Sequence, residues 1–267
     1  MAKKINFLIK GIKNPIKTIR YVFSLVNNKF KITENAKVSG GGERLVIKDW
    51  QSAKNSKNFI LSHVQRYEWA LSHVKGHCLD IACGCGYGTH HLAKNNANKI
   101  IGVDISLDAI KFAQKYYKSE NLEFLTMDAL NLKFENNSFN AATCFEILEH
   151  VNEEDQYKLV AESARVLKDN GVLYISSPNA AIYPFLRPFH LKELTMAEFE
   201  HLLRKFYQNV EIFGQDLIVN GIRQKKCLDK HASKLSYENF IIAQDDIESC
   251  YGLLAICKNK RKLHGAH

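Results

Sequence analysis

The densest chemical signal in the chain runs from Leu79 to Thr89: Leu-Asp-Ile-Ala-Cys-Gly-Cys-Gly-Tyr-Gly-Thr. An apolar run enters a loop in which Gly84, Gly86 and Gly88 stand two apart, so bare main chain can turn sharply and touch a ligand. Charge narrows the choice of ligand. A triphosphate loop needs a lysine ahead of its Ser or Thr, and a dinucleotide loop needs a third glycine where Thr89 stands. Asp80, at the entrance to the loop, would repel a pyrophosphate and attract an ammonium or a sulfonium. Asp104 follows 20 residues after Gly84, the place from which an acid takes both ribose hydroxyls in nucleotide-binding α/β folds. Asp128, followed by Ala129 and Leu130, suits an adenine amino group beside an apolar wall. Singly, each acid also reads as an N-cap for the next helix; three at equivalent places read as one site.

These residues need elements to position them. The pattern predicts strands at Cys78–Ala82, Ile100–Asp104, Leu122–Met127, Ala141–Glu146 and Gly171–Ser176. Helices are expected at Asn58–His73, Leu107–Lys118 and Gln156–Leu167, the last with Leu159, Val160, Ala164, Val166 and Leu167 inward. Short apolar strands alternating with helices mean an α/β fold, a doubly wound parallel sheet covered on both faces. Beyond it, Pro178, Pro184 and Pro188 mark an irregular excursion of the kind that carries a substrate lid. A helix at Met196–Phe206, a strand at Val210–Phe213, a polar stretch at 216–249 and a strand at Tyr251–Cys257 complete the body.

The 267 residues suit one large domain with an appendage. The formal net charge of +9 is concentrated: residues 1–31 carry eight basic side chains and no acid. Ile5, Leu8, Ile9 and Ile12 fall on one helix face, Asn14-Pro15 restarts the helix, and Ile16, Ile19, Val22, Phe23 and Val26 extend the stripe. A basic amphipathic helix pair at 1–38 suits an anionic membrane surface, at about 1 kcal/mol per Lys or Arg, or packs on protein. It is too short of apolar residues to span a bilayer. Ser39-Gly40-Gly41-Gly42 opens the 39–267 domain as a linker. The nearly neutral body lacks basic clusters and aromatic platforms, which argues against nucleic acid. Seven cysteines without a C-x-x-C pair point to free thiols in a reducing, cytoplasmic setting; Cys83 and Cys85 read as small apolar fillers. No H-x-x-x-H or D-x-D spacing suggests a metal, and none is expected.

In combination these segments resemble the class I, seven-stranded Rossmann-like S-adenosylmethionine-dependent methyltransferases over about 75–258. Asp80–Gly88 matches the glycine motif, Gly102-Val103-Asp104 the ribose acid, Asp128 the adenine position, Phe145–His150 the fourth-strand motif, and Val166 to Pro178 the fifth-strand region. The resemblance implies a sheet ordered 3-2-1-4-5-7-6 with the last strand antiparallel, and S-adenosyl-L-methionine as cofactor. It implies that Asp80, Ala82, Gly84, Gly86, Asp104, Ile105, Asp128, Ala129, Phe145 and Glu146 hold that cofactor. Arg66, by similarity with quinone-type methyltransferases, would pair with its carboxylate. His63, Arg66, Tyr67 and Ala70, Pro188–Leu194, and Gln215 after the sixth strand are similar to a bacterial subgroup associated with surface-polysaccharide sugars.

Methyl transfer from a sulfonium to a hydroxyl asks for alignment, exclusion of water and a base. His150, after the fourth strand, and His190, with Glu193 three residues on, are the candidates. His150 also reads as a capping residue or one supporting the cofactor, and His190 as part of the lid packing. The expected acceptor is a sugar hydroxyl of a glycan or its lipid- or nucleotide-linked precursor. Tyr183, Phe185 and Phe189 leave room for a lipophilic, quinone-like acceptor, and a cofactor-binding scaffold without catalysis is the third reading.

Overall fold

The apolar runs form strands of one nine-stranded sheet. In β1 (Gly76–Ile81), Cys78 faces one helical layer while Leu79 and Ile81 face the other. In β2 (Ala97–Asp104), Ile100 and Ile101 divide in the same way. A strand covered on both sides has no solvent face, which is why these segments read as continuous apolar stretches. The first layer is α1 (Asn58–Leu71), α2 (Tyr87–Asn95) and α3 (Leu107–Tyr116), contributing Val64 and Tyr67, Leu92, and Ile110 and Phe112 to the core. The second is α4 (Glu153–Val166) and α5 (Met196–Arg204), which bury Leu159, Val160 and Ala164, and Phe199, Leu202 and Leu203.

This computed structural model describes residues 58–71, 74–95, 97–182, 189–219, 222–223 and 240–261. The basic stripe of 1–31, the glycine linker, Tyr183, Pro184, Phe185 and Pro188 lie outside the described residues.

The remaining strands are β3 (Leu122–Thr126), β4 (Phe139–Cys144), β5 (Leu167–Pro178), β6 (Tyr207–Val219), β7 (Ile222–Arg223), β8 (Phe240–Ala243) and β9 (Gly252–Lys260). Their order is β3-β2-β1-β4-β5-β9-β6-β7, with β8 on β6. The first five pair in parallel, and β9 lies antiparallel between β5 and β6. The expected 3-2-1-4-5-7-6 arrangement is therefore present, with β9 as its seventh strand and β7 and β8 as short additions at the edge. Because β1 to β4 run in parallel, the loops after them meet at one carboxyl edge, where open α/β sheets bind ligands.

Several boundaries differ from the sequence reading, and three of the differences bear on the site and its surroundings. The fourth strand stops at Cys144, and Glu146, at φ 53, turns the chain toward a short 3-10 turn at Leu148–His150. Gln215 lies inside β6, not after it: its buried amide nitrogen donates to Ser62 O (3.0 Å) and Gln65 Oε1 (2.7 Å), so both its protons are placed within the strand. The polar stretch at 216–249 is partly sheet, since residues 214–217 pair with 240–243.

Candidate active site

Asp80 is fully buried on the face of β1 that meets α1 and α2. Its oxygens accept from Tyr67 Oη (3.2 and 3.3 Å), Thr89 Oγ1 (2.6 Å) and Thr143 Oγ1 (2.7 Å). Burial outweighs these donors and lifts its pKa to about 6, with the Asp104 carboxylate adding a smaller push. The sequence reading has Asp80 drawing a cationic ligand to itself. The structure sets it beneath the glycine loop, tied to three hydroxyls, so its charge acts through space.

The raised pKa has a measurable consequence. Between about pH 4 and 6 the folded chain holds a proton on Asp80 that the unfolded chain has released, so this group's contribution to stability falls as pH rises through that window, by on the order of 3 kcal/mol. Urea unfolding at pH 4 and pH 7 should show a smaller loss for Asp80→Asn than for the parent. Equal losses would mean that Asp80 is not buried in this way.

Above Asp80, the chain turns through Ala82 (φ 58), and Cys83 N–H donates to the Val103 carbonyl (2.9 Å), tying the loop to β2. Gly84 has φ +55, and a Cβ built there would meet nothing within 4 Å. This is bare backbone beside open space, a cradle for a ligand. The Gly84 N–H donates to Asp104 Oδ2 (3.0 Å), while Asp104 Oδ1 accepts from Ser106 N–H (2.8 Å). Ser106, not Asp104, caps α3 through its own hydroxyl, so the capping alternative for Asp104 does not hold. Ile105 is 69% exposed immediately beyond it, an apolar surface at the same edge. Asp128 is exposed and closes a turn by accepting from Leu130 N–H (2.9 Å), with Ala129 half-buried beside it.

The next loop holds Phe145 and Glu146. Phe145 packs edge-on against the Tyr67 ring at 5.1 Å. Glu146 Oε1 accepts from Ser176 Oγ (2.9 Å), and its Oε2 lies 3.3 Å from Arg66 Nη1. Arg66 is 3% exposed and its Nε is buried with no hydrogen-bond partner. An unmatched buried guanidinium N–H is what a ligand carboxylate would complete. Nearby His63 is held neutral, its pKa lowered to about 3 by burial and then by Arg66.

The candidate bases also converge. His190 Nδ1 lies 2.5 Å from Glu193 Oε1, and both side chains are buried. His150 Nδ1 lies 3.1 Å from the Phe189 carbonyl, and the two imidazoles stand edge to face with centroids 5.0 Å apart. Phe189 takes φ 75, which aims its carbonyl at His150. Leu191 N–H donates to the Glu149 carbonyl (2.6 Å), and Gln156 Nε2 donates to Leu148 O (2.8 Å) and Lys192 O (2.9 Å). The excursion is thereby stitched to the turn after β4.

Sequence reasoning missed Thr89, Thr143 and Ser176, which set the carboxylates from behind. The only available signal was a hydroxyl residue in an otherwise apolar strand or beside a glycine turn.

The comparisons agree with this geometry. Residues 78–171 match the family model described as a methyltransferase domain. A Mycobacterium tuberculosis protein described as a probable S-adenosylmethionine-dependent methyltransferase is 31% identical over 130 residues, covering 47% of this chain and 46% of its own. A Coxiella burnetii ubiquinone biosynthesis O-methyltransferase is 30% identical over 149 residues, covering 51% and 59%. The chain thus spans about half the length of the curated relatives it matches. Among solved structures, an Archaeoglobus fulgidus SAM-dependent methyltransferase superposes with a TM-score of 0.54 at 21% identity, covering 78% of this chain and 96% of that one. The N-methyltransferase NodS from Bradyrhizobium japonicum gives 0.54 at 18%, covering 76% and 97%; both show the fold. Residues 78–171 therefore match a methyltransferase domain, with S-adenosyl-L-methionine as its methyl donor.

Proposed function

We propose that the whole chain is an O-methyltransferase whose acceptor is a sugar hydroxyl of a bacterial glycan or of its lipid- or nucleotide-linked precursor. When bound, S-adenosylmethionine supplies a methyl group already activated for in-line displacement. Gly84 and the loop around it would receive the amino-acid part, with Arg66 taking the carboxylate and Asp80 the positive charge. Asp104 would accept from the ribose hydroxyls, and Ile105, Asp128 and Ala129 would flank the adenine. Phe145 and Glu146 would close the inner wall. The observation that carries the oxygen-acceptor reading is the His190–Glu193 pair with His150 against it: a carboxylate-oriented imidazole is suited to take a hydroxyl proton near neutral pH.

The sugar class is supported by the likeness of Pro188–Leu194 to the polysaccharide subgroup. A second reading, a quinone-like acceptor, is favoured by the Coxiella relative and by exposed Leu191 beside Phe189. We further place the protein in the cytoplasm with residues 1–31 docking on the inner membrane face. Among the described residues no helix is long and apolar enough to cross a membrane. Mass spectrometry of surface glycans and of quinone extracts, from cells with and without the protein, separates the acceptors. A methyl-sized mass difference in the glycans is the expected result; one confined to the quinones would replace the sugar reading.

A further inference from the structure

The residues read above as bases meet a third group. Glu149, His150 and His190 each offer a ligand atom, and these atoms all lie within 4.8 Å of one another. We propose that they form a binding site for a divalent first-row cation of the Zn2+ or Co2+ type. Two imidazoles and a carboxylate are the donor set of catalytic zinc sites that keep a fourth position open.

Hydrogen bonding around the cluster supports this independently of the spacing. His190 Nδ1 is paired with Glu193 Oε1, and His150 Nδ1 with the Phe189 carbonyl. Both partners can accept, so each ring can direct an Nδ1–H to its partner and offer Nε2 as the ligand atom. A ligating histidine commonly donates its other N–H to a carboxylate or backbone carbonyl in this way, which fixes tautomer and ring plane. His150 Nε2 lies 3.9 Å from Glu149 Oε1, close enough for one ion to bridge them. Glu149 and His190 side chains are 2% exposed while that of His150 is 25% exposed, so the cluster is walled on one side and reachable on the other. The hydrogen bonds from Leu191 and Gln156 hold both halves in register across forty residues of chain.

The site's role rests on the methyl-transfer reading and changes what the histidines do in it. They would hold an ion whose open position takes the acceptor hydroxyl, and the bound hydroxyl would release its proton to water more readily than a free one.

The test is calorimetric titration of the tag-free, chelator-stripped full chain with Zn2+, with Co2+ titrated in parallel and followed by its visible absorption. Saturable uptake of about one equivalent, with a Co2+ band, is expected in the parent. His190→Ala and Glu149→Gln, shown folded by circular dichroism, should each lose the band and at least about tenfold in affinity. Glu193→Gln, which only orients His190, should cost about 10–100-fold. No saturable binding by the parent, or undiminished binding by the folded His190→Ala and Glu149→Gln chains, would overturn the site. Titration with S-adenosylhomocysteine separates the two ideas: its binding without metal uptake sinks the cation site alone, and metal uptake without it leaves the site standing and sinks the transferase reading.

Discussion

Asp104→Ala is expected to weaken S-adenosylhomocysteine binding by at least about a hundredfold, because in the ribose role proposed for it the carboxylate accepts from two hydroxyls, at roughly 1.5–3 kcal/mol through each bond. A second loss adds to the first. Asp104 already accepts from Gly84 N–H and Ser106 N–H, so removing it also unties the glycine loop from the end of β2. Asp104→Asn keeps the shape and one acceptor oxygen, and should fall between parent and Ala variant. Calorimetry on chains that melt like the parent reads the effect directly. Undiminished affinity in Asp104→Ala would remove the ribose role from this residue.

Gly88→Ala should produce the larger effect on the fold. Gly88 lies in the first turn of α2, and a Cβ there would overlap the Tyr67 ring. Tyr67 cannot move freely, since its hydroxyl serves Asp80 and its ring packs edge-on against Tyr87 and Phe145. Overpacking of this kind costs about 1–3 kcal/mol, a fall of roughly 3–10 °C in melting midpoint for a domain of this size. The double variant Gly88→Ala/Tyr67→Leu should recover part of the loss relative to the sum of the single changes. A Gly88→Ala chain that melts with the parent would show that the ring gives way without cost.

What the sequence disclosed follows from how each signal is stored. Strands such as Ile100–Val103 were legible because both faces are buried and local hydrophobicity suffices. Asp80, Asp104 and Asp128 stood out because each lies near a strand end: Asp80 next to last in β1, Asp104 last in β2 and Asp128 two residues past β3. Thr143, 63 residues from its partner Asp80, carries no local mark of its role. Gln215 looks like a loop residue, and its amide is accommodated in a buried strand because the Ser62 carbonyl and the Gln65 side chain on α1 accept its protons. The proximity of Glu149 and His150 to His190 was hidden for the same reason. Metal-ligand spacing rules read one element at a time, and these side chains come from the turn at Leu148–His150 and the segment around His190, brought together by Leu191 and Gln156.

The place of β9 bears on how the chain acquires its shape during synthesis. Residues 252–260 pair with β5 on one side and β6 on the other. Until they emerge from the ribosome, β6 has no route into the main sheet and both strands present open edges, which attract other chains. The carboxyl edge built on β1 to β4 can assemble well before that moment. Assembly of the first half can therefore precede closure of the second, and a nascent chain halted near residue 250 would be an aggregation-prone form in which the glycine loop and the carboxyl edge of β1 to β4 are already built.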